Sequence, residues 1–442
     1  MSISGFEMKD YHNRVKRILP GGIHYNFRSP WEEIPVYAAK CKGSRVWDMN
    51  GTEYLDLFAR FGAMILGHSC EEYNNGLKDA IDRILGVSHC DLDAEVLELI
   101  NKFVPSAEMI RFGLSGTEIV QVALRIARAY TKKNRFVRFY GHYHGYYDNI
   151  MGGRSPISGE PIPSDYEGDV RGTDGRAESS FEQSYLLPWN SIEAVEELLL
   201  KNADKIAAII TEPVCVNGGG IMPSPGYLEA LRHLCDKYNV VLIFDEIITG
   251  FRMGLGGAQE VFGVTPDLTV FGKAMAGGGV PVSAVVGKRE LMKLIENKSV
   301  IHAGTFNGYA LGMAAVKITL EILSRDNCTA LEQMNRNAST LHEILIREAA
   351  KVGLPLVIQG PQGCASFHCC EKELAHTTDY TFDIMLPDSI LSNNFKKNGV
   401  LISPVSRLFT NLSLSNEDLE WFRDRSAKAL KQTKEDWDEF IS

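Results

Sequence analysis

No stretch of about 18 consecutive apolar residues occurs in this chain of 442 residues, so no membrane-spanning helix is expected. Positive charge is also scarce. Lys and Arg number 46 against 56 Asp and Glu, and the net charge of −10 argues against a nucleic-acid surface or an anionic membrane partner. Neither G-x-x-x-x-G-K-[ST] nor G-x-G-x-x-G is present, which disfavours a nucleotide-binding enzyme. The nine cysteines show no framework spacing, and an odd, scattered set suits a reducing cytoplasm. Cys369-Cys370 follows His368, but adjacent cysteines chelate one ion poorly and no second cluster exists; buried thiols are expected there and no metal site. The first ten residues lack the basic-then-apolar pattern of a signal peptide, so a cytoplasmic location is expected.

What is present is ordinary globular composition, 45% hydrophobic and 23% charged, over a length that suggests two or three domains. Asn50-Gly51 between Arg45–Asp48 and Glu53–Leu57 is a hairpin signal. Residues 1–60 therefore read as a lead-in segment. Beyond it, Ile206–Ile210, the amphipathic Tyr227–Cys235 and Val240–Phe244 read as strand, helix and strand, a right-handed crossover with parallel strands. Arg135–Phe139 and Leu268–Phe271 extend the same sheet, so the fold class is α/β, with residues 61–310 as a large domain. Residues 151–184 show no periodicity and read as a lid, a mobile excursion or a disordered insertion. Residues 311–442 read as a smaller α+β domain, its last helix opened by Ser415-Asn416-Glu417-Asp418.

The chemistry begins at Lys273, placed between the apolar Leu268–Phe271 and a run of glycines. An ammonium is costly to remove from water, and a lysine held there can lose its proton and form a Schiff base with an aldehyde cofactor. A snorkelling surface lysine is the plainer alternative. Asp245 ends the apolar run Val240–Phe244 and so faces the crevice where α/β sheets bind ligands. An ionised carboxylate there needs a cationic partner, either a protonated ring nitrogen or Arg252. Ser115, Gly116 and Thr117 open a helix after Met109–Phe112, and a helix N-terminus with a glycine can cradle phosphate. Tyr143 follows a strand and can stack on a flat ring, while the His142–His144 pair lacks a third ligand for zinc. Thr305 sits in a glycine-flanked turn with a hydroxyl available to phosphate.

Ser115–Glu118, Tyr143–Gly145, Asp245–Arg252, Lys273 and Gly304–Gly308 occur in the order found in class III aminotransferases, which this chain resembles from about residue 15 onward. Leu19–Ile23 and Gly62–His68 are similar to the glutamate-1-semialdehyde 2,1-aminomutase branch. The resemblance implies a fold-type-I pyridoxal 5′-phosphate (PLP) enzyme, with the lead-in packed on the small domain. It implies that Lys273 carries the cofactor and shuttles a proton, with Asp245 on the pyridine nitrogen. Tyr143 and Ile247 would cover the ring faces and Ser115, Gly116 and Thr117 hold the phosphate. Thr305 would reach that phosphate from a neighbouring subunit, making a homodimer. Arg28 resembles the arginine that grips a substrate carboxylate, and Asn217 matches the aminomutase where many class III transaminases carry glutamate. Two positions depart from the aminomutase pattern: Arg407 stands near the place of a glutamate, and Phe61, beside Arg60, in place of a tryptophan. A basic residue at the first attracts carboxylates, so Arg28 and Arg407 suit two acidic substrates bound in turn. The expected partners are thus small amino and keto acids, and aminotransfer is favoured over intramolecular migration or a non-catalytic binding role.

Overall fold

The computed structural model describes residues 8–26, 34–152, 173–403 and 406–441. Strands β1 (Ala38–Lys42), β2 (Arg45–Asp48) and β3 (Glu53–Asp56) come first. The middle of the chain supplies β4 (Met109–Gly113), β5 (Arg135–Phe139), β6 (Ser184–Leu187), β7 (Ile206–Thr211), β8 (Val241–Asp245), β9 (Leu268–Phe271) and β10 (Ser283–Gly287). The remainder holds β11 (Val357–Gln359), β12 (Cys364–His368), β13 (Val400–Leu401) and β14 (Arg407–Phe409).

The central sheet has the order β4-β10-β9-β8-β7-β5-β6, and β10 is the strand that runs against its neighbours. The inner strands β7, β8, β9 and β10 are buried at every position because helices cover both faces, while β4 and β5 nearer the edges carry Arg111, Arg135 and Arg138. Along β8, Val241 and Ile243 pack with helix Gly116–Thr131, while Leu242 and Phe244 pack with helix Tyr227–Tyr238. The two-residue period then puts Asp245 on the face of Ile243, toward the helix Gly116–Thr131. On the other helix the expected stripe of Leu228, Leu231, Leu234 and Cys235 is buried.

The hairpin forms at Asn50-Gly51. Asp48 Oδ1 accepts the N–H groups of Asn50 and Thr52 at 2.9 Å each, and Gly51 takes φ 85°, open to glycine at little cost. β13 then joins β3 in parallel, and Leu55 and Leu57 enter one core with Phe395, Leu408 and Phe422. The lead-in strands and the C-terminal part therefore share a sheet and a core. Ser415 Oγ accepts the Asp418 N–H at 3.1 Å and Asp418 Oδ2 accepts that of Ser415 at 2.9 Å, the reciprocal cap that opens the helix Asn416–Ile441.

Several strands are absent from the sequence reading, β6 and β10 of the central sheet among them. β10 is too rich in small residues to announce itself, and β6 follows directly on the aperiodic segment. Of that segment, residues 153–172 lie outside those described. Ser184, included in it, instead starts a buried strand after a 3₁₀ turn at Glu178–Gln183. All nine cysteines are free thiols. Among the described residues no helix is long and apolar enough to cross a membrane.

Candidate active site

Adjacent strand ends make the site. Asp245 pairs across the sheet with Val270, three residues before Lys273, so the parallel strands β8 and β9 deliver both residues to one crevice. Lys273 has φ 43°, in the left-handed region that costs a non-glycine residue about 1 kcal/mol or more. Such a conformation persists only where the surroundings enforce it, and here it falls at the strand-to-turn junction where the side chain enters the crevice.

Helix Gly116–Thr131 points its N-terminus at the same place. Ser115 caps it, accepting the Glu118 N–H at 3.2 Å, and Glu118 Oε2 receives the N–H of Leu114 at 3.1 Å. A Cβ on Gly116 would stand 2.5 Å from Ile247 Cδ1, and one on Gly145 2.8 Å from Thr117 Cα. Gly145, at φ 108°, thus has no room for a side chain against the helix backbone, while one at Gly116 would push Ile247 aside. The resulting cavity of about 360 Å³ is lined by Leu114, Gly116, Thr117, Tyr143, Glu212, Asn217, Asp245, Ile247 and Lys273, with Arg60 and Gly278–Val282 on the remaining wall.

Hydrogen bonds fix its acids. His144 Nδ1 lies 2.7 Å from Asp245 Oδ2, and Asp245 Oδ1 accepts the Ile247 N–H at 3.1 Å. Arg252 is not the partner of Asp245; its buried guanidinium donates to the carbonyls of Gly62, Gly363 and Thr410. Glu212, at the end of β7, accepts the Tyr143 N–H at 2.7 Å and the Asn217 amide at 2.9 Å. Burial pushes its carboxyl up, opposed by His144 and by these donors. Burial, reinforced by His144, drives His142 well below the usual imidazole range, and its Nδ1 accepts the Glu212 N–H at 3.0 Å. The H-x-H pair thus holds two strand ends, His142 through the Glu212 backbone and His144 through the Asp245 carboxylate.

The other candidates are placed differently. Ser115 is occupied by its capping bond and does not line the cavity. Thr305 is exposed and lines a separate depression of about 780 Å³ with Arg111, Phe112 and His302. Arg407 is buried on β14 and donates to Asn217 Oδ1 and, at 3.4 Å, to Ser403 Oγ. It reaches the cavity wall through Asn217. Arg28 lies outside the described residues. Sequence reasoning missed Glu212, His144 as the Asp245 partner, and Arg60 as a lining residue; a carboxylate directly after the buried run Ile206–Thr211 was the available signal for Glu212.

A glycine-backed helix N-terminus, a buried carboxylate, an aromatic side chain and a lysine around one cavity suit a flat, phosphorylated aldehyde. Comparison with known proteins agrees. Residues 27–430 match the family Aminotransferase class-III. Glutamate-1-semialdehyde 2,1-aminomutase 2 of Brevibacillus brevis is 34% identical over 430 residues, 95% of this chain and 96% of that protein. The glutamate-1-semialdehyde 2,1-aminomutase of Ignicoccus hospitalis is 39% identical over 344 residues, 77% of this chain and 78% of that one. An omega-transaminase from Sphaerobacter thermophilus superposes with a TM-score of 0.90 at 29% identity, covering 98% of this chain and 99% of that chain. The fold is also that of a glutamate-1-semialdehyde-aminomutase from Pseudomonas aeruginosa PAO1 in complex with PMP, with a TM-score of 0.86 at 20% identity over 96% of this chain and 94% of the other. The chain belongs to the class III aminotransferases, PLP-dependent enzymes of fold type I.

Proposed function

We propose that this enzyme moves an amino group between a carboxylate-bearing amino acid, of the β or ω type, and a keto acid. Bound in the cavity, PLP supplies an electron sink for the bond broken at the amino-bearing carbon. Lys273 holds the cofactor as a nucleophilic amine and then carries the proton at its Nζ. Asp245, oriented by His144, keeps the ring nitrogen protonated. Tyr143 and Ile247 bracket the ring, and Gly116 and Thr117 offer the helix end to the phosphate, with Ser115 shaping that end by its cap. Thr305 of a second copy completes the phosphate site in a homodimer. Its exposure supports this, as do Phe306 and Ile301, 60% and 61% exposed beside it. Nine free thiols support a cytoplasmic location.

Arg407 carries the choice of reaction. A buried guanidinium bound to Asn217 makes that wall of the cavity attractive to carboxylates, which favours two acidic substrates taken in turn; Arg28 would be the second clamp. Intramolecular aminomutation is the second reading, favoured by relatives of that name at 34% and 39% identity. The test is turnover by the PLP-loaded protein with β- and ω-amino acids, with and without a separate keto acid. Aminotransfer requires the acceptor and leaves the pyridoxamine form when it is withheld. Conversion of glutamate semialdehyde without any acceptor would establish the mutase instead. A protein that takes up no PLP would be a binding protein that retained the fold.

A further inference from the structure

Among the described residues two cations line the cavity, Lys273 and Arg60. Arg60 is exposed, and among the described residues its guanidinium makes no hydrogen bond or ion pair. Its backbone, by contrast, is held hard. Ala59, Arg60, Phe61 and Gly62 take φ of 44°, 53°, 55° and 82°, a left-handed turn in which three non-glycine residues carry the steric penalty of their Cβ atoms. Asp56 Oδ1 anchors its start by accepting the N–H groups of Phe58 at 3.0 Å and Ala59 at 2.9 Å. Arg252 anchors its end at the Gly62 carbonyl, where Phe409 leaves no room for a side chain. Within the turn Ala59 is buried, and Phe61 is occupied edge-on by Phe58 at 4.5 Å and Tyr25 at 5.6 Å. Arg60 is the side chain this turn presents to the cavity.

The acids of the site do not call for it. Asp245 is satisfied by His144 and Ile247, Glu212 by Tyr143 and Asn217, and Arg407 is engaged with Asn217. Val280, Pro281 and Val282 lend the cavity an apolar wall. A guanidinium on a firmly held turn, with no acceptor among the described residues and at the exposed end of a cavity, matches a planar carboxylate that arrives with the substrate.

We propose that Arg60 binds a substrate carboxylate remote from the amino-bearing carbon, and so selects dicarboxylic amino and keto acids. This deepens the aminotransferase reading and rests on it. Succinate, a dicarboxylate with neither amino nor keto group, is the probe. Its affinity is measured by calorimetry on the wild-type protein, Arg60→Gln and Arg60→Lys, and its competition with a dicarboxylic keto acid is followed kinetically. Arg60→Gln weakens succinate about 10-fold or more and raises the KM of the keto acid in step, with kcat little changed, while Arg60→Lys recovers part of the loss. Equal succinate affinity in wild type and Arg60→Gln would overturn the proposal. PLP uptake, read from the cofactor absorbance, is scored separately. Failure to take it up would sink the aminotransferase reading, whereas uptake with Arg60-independent succinate binding sinks only this inference.

Discussion

His144 Nδ1 lies 2.7 Å from Asp245 Oδ2, and both side chains are buried, Asp245 at the carboxyl end of β8 and His144 in the loop that follows β5. The imidazole donates to the carboxylate, so one face of Asp245 is fixed before any ligand arrives. Removing one partner of a buried pair leaves the other uncompensated. His144→Ala is expected to lower stability by about 3 kcal/mol in urea denaturation and to weaken PLP in a spectroscopic titration. Unchanged values of both would show that the pair does not position Asp245.

Lys273 has a backbone conformation that alanine tolerates no worse than lysine. Lys273→Ala should therefore melt within about 0.5 kcal/mol of wild type while losing the covalent cofactor band and at least about 100-fold in turnover. Retained turnover would remove the lysine from the proton path.

Asp245 and Lys273 were legible because each comes at the close of a buried apolar run, and a charged residue at such a place stands out in one dimension. The hairpin at Asn50-Gly51 and the helix Tyr227–Tyr238 were legible for a similar reason, since turn chemistry and helical period are local. The contact of Arg407 with Asn217 was not, because it joins residues from distant parts of the chain that only the tertiary fold brings together. Arg252 was the plainer alternative partner for Asp245 because it is near in sequence, and the fold sends it instead to three backbone carbonyls. Arg60 escaped because its placement depends on three left-handed residues, none of them glycine, and nothing in their side chains announces that conformation.

Asp388, on helix Phe382–Lys397, gathers four donors: His368 Nδ1 at 2.9 Å, Ser406 Oγ at 3.0 Å, Tyr380 Oη at 3.1 Å and the Cys369 N–H at 2.7 Å. His368 Nε2 in turn meets the Gly219 carbonyl at 2.8 Å, in the loop that carries Asn217. Ser406 precedes Arg407, so this one carboxylate steadies both sides of the Arg407–Asn217 contact. Asp388→Ala is expected to cost about 3–5 kcal/mol in urea denaturation. Asp388→Asn, which keeps the volume, should retain more stability yet raise the KM for acidic substrates, and an unaltered KM would confine Asp388 to a purely structural role.

Burial pushes the His342 imidazole, on helix Thr329–Lys351, down to about 4, and among the described residues its Nε2 finds no hydrogen-bond partner. In the unfolded chain the same group titrates near 6.5. Between these values the unfolded state binds a proton that the folded state refuses, so this contribution is whole above about 6.5 and is lost as pH falls toward 4. The loss amounts to about 1.4 kcal/mol per pH unit within that window. Urea denaturation at several pH values should show this slope in wild type and a shallower one in His342→Phe, which keeps a ring but cannot take up the proton. Parallel pH profiles for the two proteins would place the acid sensitivity elsewhere, among the paired carboxylates.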